Sequence, residues 1–415
     1  MRPIRLLGFL AGVLLLVEVA MAAGPRDDAW KGVDEAIKKG LPKTAIEKLE
    51  PIIQASIRDK AYPEAIKAIG KKIALEGNIQ GNKPEEKIVR LQAEIAKAPH
   101  QMQAPMEAVL AHWYWQYFQQ NRRRFMQRTA TAQPPSDDIL TWDLSRILAE
   151  IDKHFTKALV GHAELRKIPV AQYDALLQKG NVPDTYRPTM FDFLAFEALS
   201  FFTAAEQAGA KAEDAFELTA DSPIFAPMPA FLGWQVETTD TDSVTYRAIK
   251  LYQSLLKFHQ EDRDPAAFLD ADLWRLNFGY NKAVGEEKNE RYKAALKKFV
   301  DRYGDHEISA RARFQWASVL RQEGELVEAH GLARQGAAAF PNSFGGRMCY
   351  NLLQQIEAKS VQTSTERVWT EPWPTIQVRY RNINQVFFRA VRADWVQRLK
   401  GARQRPEHLD HNQRK

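Results

Sequence analysis

Few residues in this 415-residue chain have the type and spacing that chemistry needs. The single cysteine, Cys349, cannot close an internal disulfide or supply a Cys-ligated zinc or iron–sulfur site. It follows Gly345-Gly346, read as a turn, and opens an apolar helical run with Leu352, Leu353 and Ile356. That setting makes it a packed core thiol rather than a nucleophile. Asp240/Asp242 and Asp262/Asp264 begin like calcium loops. Neither is followed by Gly at loop position 6 or Glu at position 12, so both read as solvated loop carboxylates. The nine histidines are scattered. His154 and His162 stand eight apart with no carboxylate in a motif position, and His408 and His411 lie at the far end of the chain. Nucleophile-elbow, dinucleotide, phosphate-loop and H-E-x-x-H patterns are absent. No catalytic residue, cofactor-binding residue or metal ligand is expected, and the chain does not read as an enzyme.

The most conspicuous stretch is Trp113-Tyr114-Trp115-Gln116-Tyr117-Phe118, followed by Arg122-Arg123-Arg124-Phe125. Aromatic rings beside arginines suit base stacking and phosphate binding on single-stranded nucleic acid. They equally suit a central helix, aromatic on most faces and largely buried, whose arginines pair with Asp137, Asp138 or Asp143. Charge favours the second reading. The formal net charge is +6, of which residues 398–415 carry +4 and the first 23 residues +1. The body between is nearly neutral and offers no electrostatic footprint for nucleic acid.

The elements that must position these residues are helices. Ile46, Leu49, Ile53 and Ile57 recur at helical spacing, as do Ile66, Ile69 and Ile73 after a turn at Tyr62-Pro63. A stripe from Leu140 through Ile147, Ile151 and Phe155 to Leu159 predicts another helix, with Ser136-Asp137-Asp138 as its cap. Further helices are predicted at about 104–127, 190–208, 243–260, 286–303, 306–322, 325–339 and 344–357. Pro51 lies inside a predicted helix, where it should kink or break it. Residues 313–341 match the tetratricopeptide pattern. Ala317 and Leu320 fill the first helix, Gly324 turns the chain, Ala329 and Ala333 are the small contacts of the second, and Pro341 closes the unit. The expected fold is all-α, an irregular TPR-like array of helical hairpins over 24–359.

The ends differ in character. Residues 1–23 read as a secretory signal peptide: Arg2 and Arg5, then twelve apolar residues from Leu6 to Val17, then Ala20-Met21-Ala22. Twelve residues are too few to span a bilayer, so the mature protein is expected to be exported, periplasmic or extracellular, without a transmembrane span. At the other end, 360–374 reads as a polar linker. Residues 375–415 read as the start of a β-domain, with Ile376, Val378 and Tyr380 alternating toward a turn at Arg381–Asn384 and then Val386, Phe388 and Ala390. An isolated hairpin is marginal in water, so this one is expected to be incomplete and prone to pair with strands from elsewhere.

In order along the chain, the segments GLPKTAIEKLEPII, VLAHWYWQYFQQNRRRFMQRT with DDILTWDLSRIL, PTMFDFLAFEALSFF, FPNSFGGRMCYNLLQQIEA and IQVRYRNINQVFFRAVRADW resemble the bacterial alpha-2-macroglobulin-like proteins. The likeness is to their helical N-terminal region running into the first macroglobulin domain. It implies an exported endopeptidase-inhibitor-family protein whose partners are the remaining macroglobulin domains, envelope proteins or proteases. The bait region and the Cys-Gly-Glu-Gln thioester of that family are missing. Cys349 is followed by Tyr-Asn-Leu, so the chain itself is expected to be a non-catalytic module, a fragment or one half of a split gene. The alternative is a free-standing TPR-like scaffold that binds proteins in a concave face. Neither reading includes nucleic acid or a cofactor.

Overall fold

The computed structural model describes residues 5–6, 26–81, 83–128, 136, 138–178, 180, 182–204, 215–365, 375–388, 396 and 400. Most of the predicted signal peptide, residues 366–374 of the predicted linker and nearly all of 389–415 lie outside these.

Among the described residues the fold is all-α with one antiparallel hairpin near the C-terminus. The helices are α1 (Asp27–Lys38), α2 (Pro42–Arg58), α3 (Tyr62–Ile79), α4 (Pro84–Lys97), α5 (His100–Gln120), α6 (Arg122–Gln127), α7 (Leu144–Val160), α8 (His162–Leu165), α9 (Met190–Thr203), α10 (Met228–Gly233), α11 (Val244–His259), α12 (Ala266–Lys282), α13 (Lys288–Tyr303), α14 (Ile308–Glu323), α15 (Leu326–Ala339) and α16 (Phe344–Glu357). Arg5–Leu6 also pairs with Leu177–Gln178 over two residues. The chain divides into two compact units, one through Tyr350 and one from Asn351.

In the first unit sequence neighbours pack on one another, as in an array of hairpins. The tetratricopeptide match is realised in α14 and α15. Gly324 ends α14 at φ +92°, a left-handed conformation that glycine adopts without steric cost. Ala317, Ala329 and Ala333 are fully buried between the two helices and their neighbours, where larger side chains would hold the backbones apart. α16 comes closer still. A Cβ on Gly345 would lie 2.4 Å from the backbone nitrogen of Arg311, so Gly345-Gly346 belongs to the first turn of a tightly docked helix rather than to a free turn.

Three local expectations change. α2 runs unbroken through Pro51, which is exposed, so the carbonyl it leaves unbonded is open to water. Ser136-Asp137-Asp138 does not start α7. Asp138 caps a short 3-10 turn at Ile139–Thr141, and Asp143 caps α7 by accepting from Arg146 N at 2.8 Å. The aromatic helix is two, α5 and α6, separated at Asn121.

Charge is also buried in this unit. Asp270 on α12 is fully enclosed, with Arg311 Nη1 at 2.5 Å and Arg187 Nε at 3.6 Å, while the Arg187 guanidinium carbon stands over the Phe196 ring, 3.8 Å from its centroid. Interior ions need such partners, because desolvation otherwise outweighs any attraction.

The second unit holds the hairpin, and its pairing is not the predicted one. Strand β1 (Ser360–Thr365) pairs with β2 (Ile376–Arg381), from Ser360 opposite Arg381 to Thr365 opposite Ile376. The predicted linker therefore supplies a strand. Residues 386–388, expected to be the second strand, are neither helix nor strand. The reason lies in Val361, Thr363 and Thr365: β-branched residues at alternate positions favour a pleated strand, although two of the three are polar. Nor do Arg381–Asn384 reverse the chain into another strand. Asn382, at φ +56°, donates to the carbonyls of Ile356 and Ala358 at 2.6 and 3.3 Å, and Arg381 donates to Gln355 O at 2.9 Å. Together they cap the C-terminal end of α16.

Candidate functional site

α5 is the central helix of its neighbourhood and packs on α4, α7 and α9. Its aromatic run is buried where it faces them: Tyr114, Tyr117 and Phe118 are 2, 3 and 0% exposed. Trp113 and Trp115 remain partly accessible. Arg124 turns back on the same rings, donating to Tyr117 Oη at 2.9 Å and lying over Phe125 at 4.8 Å. Of the aspartates expected to receive the arginines, Asp138 and Asp143 serve as helix caps. Asp137 lies outside the described residues.

On the α7 side Tyr114 is sandwiched between Trp142 and His154. The ring centroids stand 5.8 and 5.4 Å apart and the planes lie within 18° and 14° of parallel. His154 Nδ1 meets Glu107 Oε2 at 2.5 Å and Nε2 lies 3.3 Å from Glu150 Oε1. Lys153 holds Glu150 at 2.6 Å, and Lys157 stands 3.6 Å from Glu107. Burial works against a charged imidazole here, but hydrogen bonds and attraction to the two carboxylates prevail and raise the His154 pKa. Burial likewise opposes the charge on Glu150. Hydrogen bonds from His154 and Lys153 overcome it and bring its pKa down to about 2.

His154 thus has a carboxylate one helical turn back, at i−4, which the sequence analysis passed over. A similar pair occurs at His259, whose Nε2 meets Asp192 at 2.7 Å and whose Nδ1 meets Asp262 at 2.6 Å. Asp192 also accepts from Thr189 N as part of the α9 capping box, so it joins a cap to an interior network. Asp262, an exposed loop carboxylate, is therefore also the partner of a buried histidine. Asp240 accepts from Phe216 N, Asp242 pairs with Arg247 at 2.8 Å, and Asp264 accepts from Ala266 N. No group of three or more His, Cys, Asp or Glu side chains suited to a metal ion occurs among the described residues.

On the α9 side His112 Nε2 contacts Glu197 in a cleft of about 280 Å³ that Trp115, Phe155 and Ser200 also line. His112 Nδ1 is buried without a hydrogen-bond partner among the described residues. Cys349 is equally withdrawn. Its thiol is buried and donates to Ala310 O at 3.1 Å, and burial pushes its pKa up to about 12.

The hairpin presents the opposite case, a surface without cover. The register puts Val361, Thr363 and Thr365 opposite Tyr380, Val378 and Ile376 on one face. Ser360, Gln362, Ser364, Gln377, Arg379 and Arg381 form the other. Val361, Ile376 and Tyr380 are 49, 45 and 64% exposed. Neither β1 nor β2 pairs with a third strand among the described residues. No helix of the described residues is long and apolar enough to cross a membrane. No model of a known protein family matches the chain, and no curated protein is similar to it.

Proposed function

We propose that this chain is a non-catalytic protein-binding module, a helical array that carries a β-hairpin for pairing with a β-rich partner. In the terms of the resemblance, it is the helical N-terminal part of an exported alpha-2-macroglobulin-like protein of the endopeptidase-inhibitor family. The observation that carries this reading is the hairpin itself. Two six-residue strands expose an apolar face, and among the described residues neither outer edge is paired, an arrangement that by itself is marginal in water. A partner strand would satisfy the free backbone groups of an edge, and a partner sheet would cover the face. The buried thiol and the enclosed histidine networks are consistent with stabilising roles.

Hydrogen exchange tests the proposal. In the purified chain, amides of 360–365 and 376–381 should exchange far ahead of those in α14 and α15. A macroglobulin-type β-domain, added or co-expressed, should slow them. Hairpin amides as protected alone as those of the helices would remove the physical basis of the reading. The chain by itself should leave the digestion of a protein substrate by an endopeptidase unchanged. The tetratricopeptide geometry of α14 and α15 supports the scaffold reading as second choice. Partner binding that survives Val361→Lys and Tyr380→Lys together would favour it.

A further inference from the structure

α4 and α7 both pack against α5, and the groove between them is a cleft of about 630 Å³. That volume is ordinary for a small-molecule site. Each wall carries charges of both signs, most of them paired, and one on each is left with open hydrogen-bonding capacity. On α4, Glu86 is paired with Lys83 at 3.1 Å and Arg90 with Glu76 at 2.7 Å. Glu85 beside them has no ion-pair or hydrogen-bond partner among the described residues. On α7, Glu150 is held by Lys153 at 2.6 Å, so neither is available. Arg146 lies over the Trp142 ring at 5.2 Å and reaches Glu150 only at 3.6 Å. Its guanidinium makes no hydrogen bond among the described residues, and its Nε is buried without a partner. An arginine left with open donors on a cleft wall is set for a carboxylate, which it can bind through two parallel hydrogen bonds.

The floor is amide-like. Gln92 Nε2 donates to Tyr114 Oη at 3.0 Å, which leaves the Gln92 carbonyl as an acceptor and the Tyr114 hydroxyl hydrogen as a donor. A peptide bond offers the complementary pair, one N–H and one C=O. The width fits as well. Two helices flanking a third leave a groove about one helix diameter across, roughly 10 Å. An extended chain of three residues spans about the same distance.

We infer that this cleft binds short peptides with free termini, the ammonium group at Glu85 and the carboxylate at Arg146. The site lies wholly in the helical unit and does not depend on the hairpin's role.

Trialanine is a suitable probe, measured by calorimetry against the whole chain beside N-acetyl-trialanine and trialanine amide. The expected result is a Kd for trialanine below about 1 mM, with each blocked peptide at least tenfold weaker. Arg146→Gln should weaken trialanine about tenfold and leave trialanine amide unchanged. Glu85→Gln should do the same for the amine end, leaving N-acetyl-trialanine unchanged. Because each variant is compared with the peptide that already lacks the matching group, a general loss of structure would show as a loss for both peptides. Variants whose circular-dichroism melts match the parent yet lose both peptides equally would overturn the assignment of the two ends. Equal affinity for all three peptides, or no heat from trialanine at 10 mM, would overturn the proposal.

Discussion

At the scale of single residues, the enclosed histidines couple stability to pH. His154 and His259 both have pKa values raised above the ordinary histidine value, because their paired carboxylates outweigh the cost of burial. A raised folded-state pKa adds stability that is complete below the unfolded value of about 6.5 and disappears as pH climbs through the folded value. Urea midpoints should therefore fall as pH rises above about 6.5, and His154→Gln should flatten that fall while lowering the midpoint at about pH 6. A variant with the parent's full pH dependence would show that His154 is not charged in the fold. Half of this network was legible: Glu150 stands at i−4 from His154 on one helix, a spacing that brings the two together. Glu107, 47 residues away, was not, because only the packing of α5 on α7 delivers it. The peptide groove was illegible for the same reason. Glu85 and Arg146 look like ordinary surface charges until three helices place them on facing walls.

Individual elements show where close packing sets the chain's tolerance. Gly345 and Gly331 are both helical glycines, yet a Cβ on the first would strike the backbone of Arg311, and one on the second would meet nothing within 4 Å. Gly345→Ala should cost about 1–3 kcal/mol, since a backbone cannot move aside as a side chain can. Gly331→Ala should be neutral or stabilising by about 0.5–1 kcal/mol. Thermal melts of the pair, with the same chemical change at each, separate the two effects. Helix positions were largely readable from apolar spacing, and α11 and α13–α16 lie within a residue or two of the expected ranges. The hairpin was readable only in part. Its second strand was found from Ile376, Val378 and Tyr380, but the first was missed because Thr363 and Thr365 counted as polar when their branched shape was what mattered. Pro51 misled in the other direction, since an exposed helix face tolerates one lost hydrogen bond.

For the whole molecule, the contrast is between a helical unit with a continuous apolar core and a hairpin with apolar side chains in water. Replacing Tyr380 and Val361 by Lys should leave the main melting transition unmoved, because neither side chain is buried. Any concentration-dependent association seen by light scattering should fall. A melting point lowered by several degrees would mean that the face is covered. The thiol of Cys349 offers a way to watch the helical unit from inside. With its pKa pushed up to about 12 it holds almost no thiolate at pH 8, and Ala310 and the close approach of Gly336 wall it in. An exposed cysteine, near 8.5, would react readily. A maleimide dye should therefore label the native chain only as fast as the corner formed by α14, α15 and α16 swings open. With one thiol per molecule, the labelling curve is a clock for that opening, and it should speed up with urea in step with the loss of helix. Rapid labelling in native buffer would mean that this corner breathes independently of the rest.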